Sequence, residues 1–156
     1  MSKSRRLGTA SAARLKVLAD VLPVLEAAEV DFGHWELPPP KNGVHSLGWF
    51  ELGPAGEAFL AAVAKGGWVT VGFDWRTWLE SGEGRRFRDQ QVVDAADADD
   101  LARLITAIVR SDRFVEGSLA GAFESGLLIR IARRANVLVA EAHARAEPNA
   151  GKTPPG

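Results

Sequence analysis

Helical periodicity in the second half of the chain constrains the fold most strongly. Acidic residues at 97, 99 and 100 mark a helix start, where the helix dipole favours negative charge. The apolar residues that follow recur at three- and four-residue spacing: Leu101, Leu104, Ile105, Ile108 and Val109. A second stripe of this kind runs through residues 127–146, with arginines and a glutamate on its other side. Both patterns predict long amphipathic helices that bury one face.

The first half is less regular but contains three further helix signals. Residues 14–30 carry leucines at helical spacing, and Pro23 within them predicts a bend near residues 21–23. A helix is predicted from Pro54 to the Gly66-Gly67 pair. Asp74 is a predicted N-cap, with Phe73 and Trp78 at the spacing of a hydrophobic staple.

The stretch from 31 to 48 is rich in proline, glycine and asparagine, which predicts a long loop. Two aromatic and β-branched segments, 47–52 and 68–73, are candidates to pair as a ribbon. The predicted fold is mainly α, a single-domain bundle of five or six helices over residues 14–146, with this two-stranded ribbon as an optional addition. Residues 1–13 are expected to be a basic flexible N-terminus, and the Pro/Gly-rich residues 147–156 a disordered tail.

Composition narrows the classes of function. The 156-residue chain has a formal net charge of -1, so it lacks the overall positive field that non-specific nucleic-acid binding requires. It contains no cysteine, which excludes disulfides and thiolate chemistry and removes any need for an oxidising compartment. No window has the roughly 18 uncharged apolar residues of a membrane span. The chain is therefore expected to be a soluble cytoplasmic protein.

The segment from residue 110 to 126 concentrates charge and glycine between two apolar helices. Its candidate polar cluster comprises Arg110, Asp112, Arg113, Glu116 and Glu124. One interpretation is a pocket in which arginines bind an anion and a carboxylate acts as acid or base. The other is an ion-pair network that sets the angle between the helices. The segment has no neighbouring histidine, cysteine or metal signature, which favours the network, and no residue is assigned as catalytic.

All tryptophans lie between positions 35 and 78, and they form a candidate aromatic surface: Trp35, Trp49, Trp68, Trp75 and Trp78. Clustered tryptophans can build a ligand-stacking platform. The favoured interpretation is simpler, namely that these large rings bury area and fasten irregular segments onto the helices.

Metal and cofactor signatures are weak. His34 with Glu36, or His45 brought in by the fold, is a poor metal set because no histidine lies four residues from another. The aspartates at 97, 99 and 100 are explained as helix caps. Neither a phosphate-binding loop nor a dinucleotide fingerprint is complete. No metal and no cofactor are predicted.

Three motifs carry a resemblance to a known family. They are RxDRFxEGxL over residues 110–119, FExG over 123–126 and FDWxxW over 73–78. The chain resembles a small bacterial and archaeal family known only as a domain of unknown function, over about residues 15–138. The resemblance implies a shared fold and a shared polar cluster at 110–126, and it implies no reaction.

Three functional hypotheses remain. The first is a non-catalytic binding or regulatory module with an unidentified protein partner or self-association. The second is a small enzyme in which Glu116 or Glu124 works beside arginines that hold a phosphate-like substrate. The third is a helix-turn-helix within residues 123–134 whose arginines face nucleic-acid phosphates, although residues 97–146 have balanced charge.

Overall fold

A computed structural model describes residues 9–44 and 47–146. These residues form eight α-helices, a two-stranded antiparallel ribbon and two 3-10 helices, Arg86–Arg88 and Gln90–Ala95. In chain order the elements are α1 (Thr9–Ala19), α2 (Leu22–Glu26), β1 (Gly33–Glu36), β2 (Trp49–Leu52), α3 (Pro54–Lys65), α4 (Trp75–Glu80), α5 (Gly82–Arg85), α6 (Ala98–Asp112), α7 (Ser118–Glu124) and α8 (Leu127–Ala146). The prediction of a mainly α fold with a small ribbon is confirmed. The described helices outnumber the predicted five or six, because the first helix is divided and the glycine-rich stretch after α4 forms a further short helix.

The helix α8 lies at the centre of the molecule. It packs against α1, α2, α6, α7 and the second 3-10 helix. Leu128, Ile131, Ala132 and Ala135 along it are fully buried. The two alanines allow neighbouring helices to approach closely, and the buried side chains join one core that extends from Leu15 to Leu138. No described helix has both the length and the apolar character needed to cross a membrane.

The predicted helix ends of α4 and α6 are confirmed. Asp97 accepts a hydrogen bond from the Asp100 N–H at 2.8 Å, and the Asp100 carboxylate accepts one from the Asp97 N–H at 3.2 Å. This reciprocal capping box satisfies two backbone donors at the start of α6. Asp74 caps α4 by accepting from the Thr77 N–H, and the Phe73 and Trp78 rings lie 5.9 Å apart as the staple requires.

The predicted break near Pro23 is also present. The first helix ends at Ala19, and Pro23 occupies the first turn of α2, where its missing N–H leaves no bond unmade. The helix α1 begins at Thr9, inside the segment 1–13 that was expected to be a basic flexible N-terminus. Residues 1–8 and the predicted tail 147–156 lie outside the described residues.

The ribbon has a different partner from the one predicted. Segment 49–52 pairs with residues 33–36, which had been expected to belong to a loop, and Trp35 lies opposite Phe50. Gly33 permits this pairing, because a Cβ there would lie 2.3 Å from the Glu51 carbonyl oxygen and its φ is +147°. The strand is only four residues long, and the proline-rich residues that follow it dominated the sequence pattern.

Residues 68–73, the other predicted strand, form no strand. Trp68 is fully buried and its indole N–H donates to the Arg14 carbonyl oxygen at 3.2 Å. The Thr70 N–H donates to the Thr106 hydroxyl of α6 instead of to a neighbouring strand. The segment therefore joins α3 to α4 by packing one tryptophan into the core and turning at Gly72, whose φ is +77°.

Candidate functional site

The segment of residues 110–126, which we call the motif segment, spans the end of α6, the connection to α7 and α7 itself. The connection turns at Gly117, whose φ of +92° lies in the left-handed region. The Trp35 ring of the ribbon lies directly over this glycine, since a Cβ there would meet ring atoms at 2.5 Å. Glycine is thus required at this position both by the backbone conformation and by the overlying ring.

Two carboxylates of the predicted polar cluster accept hydrogen bonds from distant backbone groups. Asp112 Oδ1 accepts from the Leu119 N–H at 3.0 Å, which satisfies a free donor in the first turn of α7. Glu116 Oε1 accepts from the Phe50 N–H at 2.8 Å, which ties the connection to β2. These residues hold the motif segment, the ribbon and α7 in place.

The other three residues of the cluster do not complete an ion-pair network. The structure records no ion pair between any two of the five cluster residues, all of which it describes. The Arg110 Nε is buried and has no hydrogen-bond partner among the described residues. Arg113 and Glu124 are exposed. The expected mutual locking of these charges is therefore wrong, because the carboxylates bind backbone N–H groups that sequence spacing could not reveal.

A groove of about 490 Å³ opens beside the motif segment. Its apolar wall comes from α4, α6 and the residues around Phe87, and includes Leu79, Leu104 and Ile108. The motif segment supplies a further part of the lining: Ser111, Ser118, Gly121, Ala122 and Ser125. None of the five charged residues of the predicted cluster is among the lining residues.

The polar groups of this part of the lining are three serine hydroxyls. Ser118 donates to the Val115 carbonyl oxygen at 3.0 Å and lies 3.2 Å from the Ser111 hydroxyl, while Ser125 donates to the Ala122 carbonyl oxygen. A serine nucleophile needs a neighbouring base. No hydrogen bond connects these hydroxyls to a basic side chain within residues 9–44 and 47–146. The hydroxyls can hydrogen-bond a ligand, since each retains acceptor lone pairs.

Two charged residues also line the groove. Glu80 and Arg88 line it, and Glu80 is paired with Arg85 at 3.5 Å. Arg86 is paired with Asp100 at 3.2 Å. Burial raises the pKa of the Asp100 carboxyl, against the hydrogen bond from Asp97 and the nearby arginines. Arg88 is exposed and makes no ion pair or side-chain hydrogen bond with any other described residue.

The sequence prediction missed the groove although one signal of it was present. Ser111, Ser118 and Ser125 recur at a spacing of seven residues, and Gly121 lies inside a short helix. The three serines belong to different parts of the chain's path, at the end of α6, the start of α7 and the residue after α7. Because this spacing does not continue along one helix, only the fold reveals that the three serines line the same groove.

The five tryptophans do not form one surface. Trp68 and Trp78 are buried, and Trp75 is half-buried beside Phe114, with the Arg76 guanidinium 4.5 Å from the Phe114 ring centroid. Trp35 and Trp49 are each 46% exposed. They occupy alternate positions of the ribbon register, so their rings point to opposite faces.

The outer face of the ribbon contains His34 and Glu36, joined by a hydrogen bond of 2.7 Å. This bond, followed by the charges of nearby carboxylates, raises the pKa of His34 above its ordinary value of 6.5. Within the described part of the chain no three histidine or acidic side chains are grouped as a metal site would require. His45, the other histidine considered with this pair, lies outside the described residues.

The arginines of the helix-turn-helix hypothesis are engaged within the molecule. Arg130 pairs with Asp94 at 3.1 Å, Arg133 pairs with Glu26 at 2.7 Å, and Arg134 Nε donates to the Ala96 carbonyl oxygen at 2.7 Å. Their helix, α8, is the central core helix, whereas a recognition helix must enter the DNA groove.

Comparisons with known proteins give one match. Neither a search of curated proteins nor a search of solved structures finds a significant match. A family model, described as a family of unknown function (DUF6508), matches residues 10–141. This match covers all the residues that line the groove, the ribbon and the whole motif segment. The chain therefore belongs to the DUF6508 family of unknown function.

Proposed function

We propose that the protein is a non-catalytic binding module, and that the groove beside the motif segment holds a small, mainly apolar ligand. The observation that carries the proposal is Gly121, which faces the groove from inside α7. Its φ is not positive, and a Cβ added there would meet no atom of the described residues within 4 Å. Glycine inside a helix costs roughly 0.5–1 kcal/mol relative to alanine. At this position no packing contact accounts for that cost, and the open space in front of it is the groove.

The shape and chemistry of the groove agree with this function. Small-molecule sites are clefts of roughly 300–1,000 Å³, mainly apolar, with a few polar groups that orient the ligand. A volume of about 490 Å³, apolar side chains from five elements and three serine hydroxyls match that description. The enzyme hypothesis has less support, because its arginines and glutamates do not line the groove.

The binding test uses the uncharged dye Nile red, whose fluorescence rises in an apolar site. We expect saturable binding to the wild-type protein and amide shifts at Ser118, Gly121 and Ser125 in NMR spectra. Gly121→Phe should abolish both signals by filling the groove. Ala61→Phe adds the same ring at an exposed position of α3 and should leave binding unchanged.

Gly121→Ala tests the effect of this glycine on the stability of α7 without filling the groove. We expect this variant to gain about 0.5–1 kcal/mol in free energy of unfolding and to keep most of its dye binding. Gly84→Ala should instead destabilise the protein, since its Cβ would lie 2.0 Å from the Trp78 carbonyl oxygen. If Gly121→Phe binds the dye as the wild type does, the groove is not the site.

A protein partner and a second copy of the chain are the alternative occupants that the sequence hypothesis allows. A second copy would appear in the test as a change of oligomeric state in sedimentation velocity on Gly121→Phe, and either occupant as the absence of saturable dye binding to the wild type. That result would replace the small ligand with a macromolecular one.

The proposal keeps the cytoplasm as the working compartment, because a chain without cysteine needs no oxidising environment. Fractionation of the source cells tests that location.

A further inference from the structure

We propose that the ligand of the groove is a monoanionic amphiphile, an apolar chain or ring carrying one carboxylate, and that Arg88 binds the carboxylate. This inference rests on the proposed function, because it specifies which small molecule the groove takes. It is carried by the charges at the groove edge together with the apolar lining.

The charged residues beside the groove favour an anionic ligand. Glu80 is the acidic lining residue, and Arg85 offsets its charge at 3.5 Å. Arg86, the next arginine of the same stretch, is paired with Asp100. Arg88 lines the groove and has no ion-pair or hydrogen-bond partner among the described residues, so it is the lining residue whose positive charge is available to a ligand.

The form of the anion follows from the same residues. A guanidinium presents parallel N–H donors that match the two oxygens of a carboxylate. Arg88 can neutralise one negative charge, whereas a phosphate monoester with nearly two charges would leave one unmatched near Glu80. The rest of the ligand lies against Leu104, Ile108 and Phe87, where hydrocarbon is favoured over polar groups.

Three probes of equal chain length test this inference on the full chain: octanoate, 1-octanol and octylammonium. Dissociation constants are measured by NMR titration of the groove amides at low ionic strength. We expect octanoate to bind about tenfold more tightly than octanol, octylammonium to bind most weakly, and the difference to shrink in high salt. Octyl phosphate is a fourth probe, and binding tighter than that of octanoate would replace the carboxylate by a phosphate.

Arg88→Gln is the decisive variant. It should weaken octanoate binding about tenfold while leaving octanol binding unchanged. Arg145→Gln removes the same charge from the far end of α8 and should alter neither. Equal affinities of the three probes, or equal losses for octanoate and octanol in Arg88→Gln, would overturn the anionic ligand and leave the binding groove standing. Absence of binding by every probe and by Nile red would overturn both.

Discussion

At the scale of single residues, Glu116 links two parts of the chain that are 66 residues apart. Its carboxylate accepts the Phe50 N–H, which has no strand partner on that side, because the ribbon in the described part of the chain has two strands. We expect Glu116→Ala to lower the free energy of unfolding by roughly 0.5–1.5 kcal/mol, since it removes one hydrogen bond at an exposed site where water can take the place of the acceptor. Glu116→Gln retains an acceptor oxygen and should lose less than half as much. Urea unfolding measures both, and equal losses would show that the hydrogen bond is not the cause.

His34 provides a second prediction at this scale, concerning pH. Its pKa in the folded protein lies above 6.5 because of the hydrogen bond to Glu36. The protonated ring is therefore favoured in the folded state, so its contribution to stability is fully present below the unfolded pKa. That contribution is lost as pH rises through the folded pKa. An NMR titration of the ring protons should give a value above 6.5 that falls toward 6.5 in Glu36→Gln, and an unchanged value would contradict the assigned cause.

The residue types identified the motif segment but did not reveal the hydrogen-bond partners of its carboxylates. Asp112 and Glu116 were identified as important because of their charge, and an ion-pair network was the natural expectation for neighbouring arginines. Their partners are the backbone N–H groups of Leu119 and Phe50. Those contacts depend on how α7 and the ribbon approach α6, which is a tertiary property. Local spacing could not predict them.

At the scale of elements, α7 depends on a cap supplied by another helix. Its own N-cap, Gly117, has no side chain to accept a hydrogen bond, and Asp112 at the end of α6 accepts from the Leu119 N–H instead. We expect Asp112→Ala to cost about 1 kcal/mol and to increase hydrogen exchange of the α7 amides. Asp112→Asn keeps the acceptor and is the matched control. Unchanged exchange in α7 with a loss of stability elsewhere would contradict the capping role.

The sequence predicted best those helices whose capping residues and apolar stripe lie within the helix's own stretch of sequence. The start of α6 follows from Asp97, and α8 runs from Leu127 to Ala146 as its periodicity predicts. The strand β1 was missed because its four residues are too few for a clear alternation. The groove was missed for a related reason, since its walls come from several elements that become neighbours only in the folded chain.

At the scale of the whole molecule, the core joins the two halves of the chain. Helix α1 packs along α8, and the Thr106 hydroxyl of α6 accepts the Thr70 N–H, donates to the Ala102 carbonyl oxygen at 2.7 Å and lies 3.3 Å from the Trp68 carbonyl oxygen. All five tryptophans lie between residues 35 and 78, whereas α6, α7 and α8 follow residue 97. Tryptophan fluorescence therefore reports on the first half, and far-UV circular dichroism includes the long helices of the second.

These two signals test whether residues 14–146 unfold as one unit, as the single-domain prediction requires. Ala132 on α8 is fully buried, so Ala132→Leu should overpack the core and cost roughly 1–3 kcal/mol. In a domain of this size, each kcal/mol lowers Tm by about 2–4 °C. We expect the fluorescence and dichroism transitions to shift together, although the substitution lies far along the chain from every tryptophan.

Ala140→Leu, at an exposed position of the same helix, is the control and should leave both transitions within about 1–2 °C of the wild type. A dichroism transition that shifts while the fluorescence midpoint stays in place would mean that the two halves unfold independently.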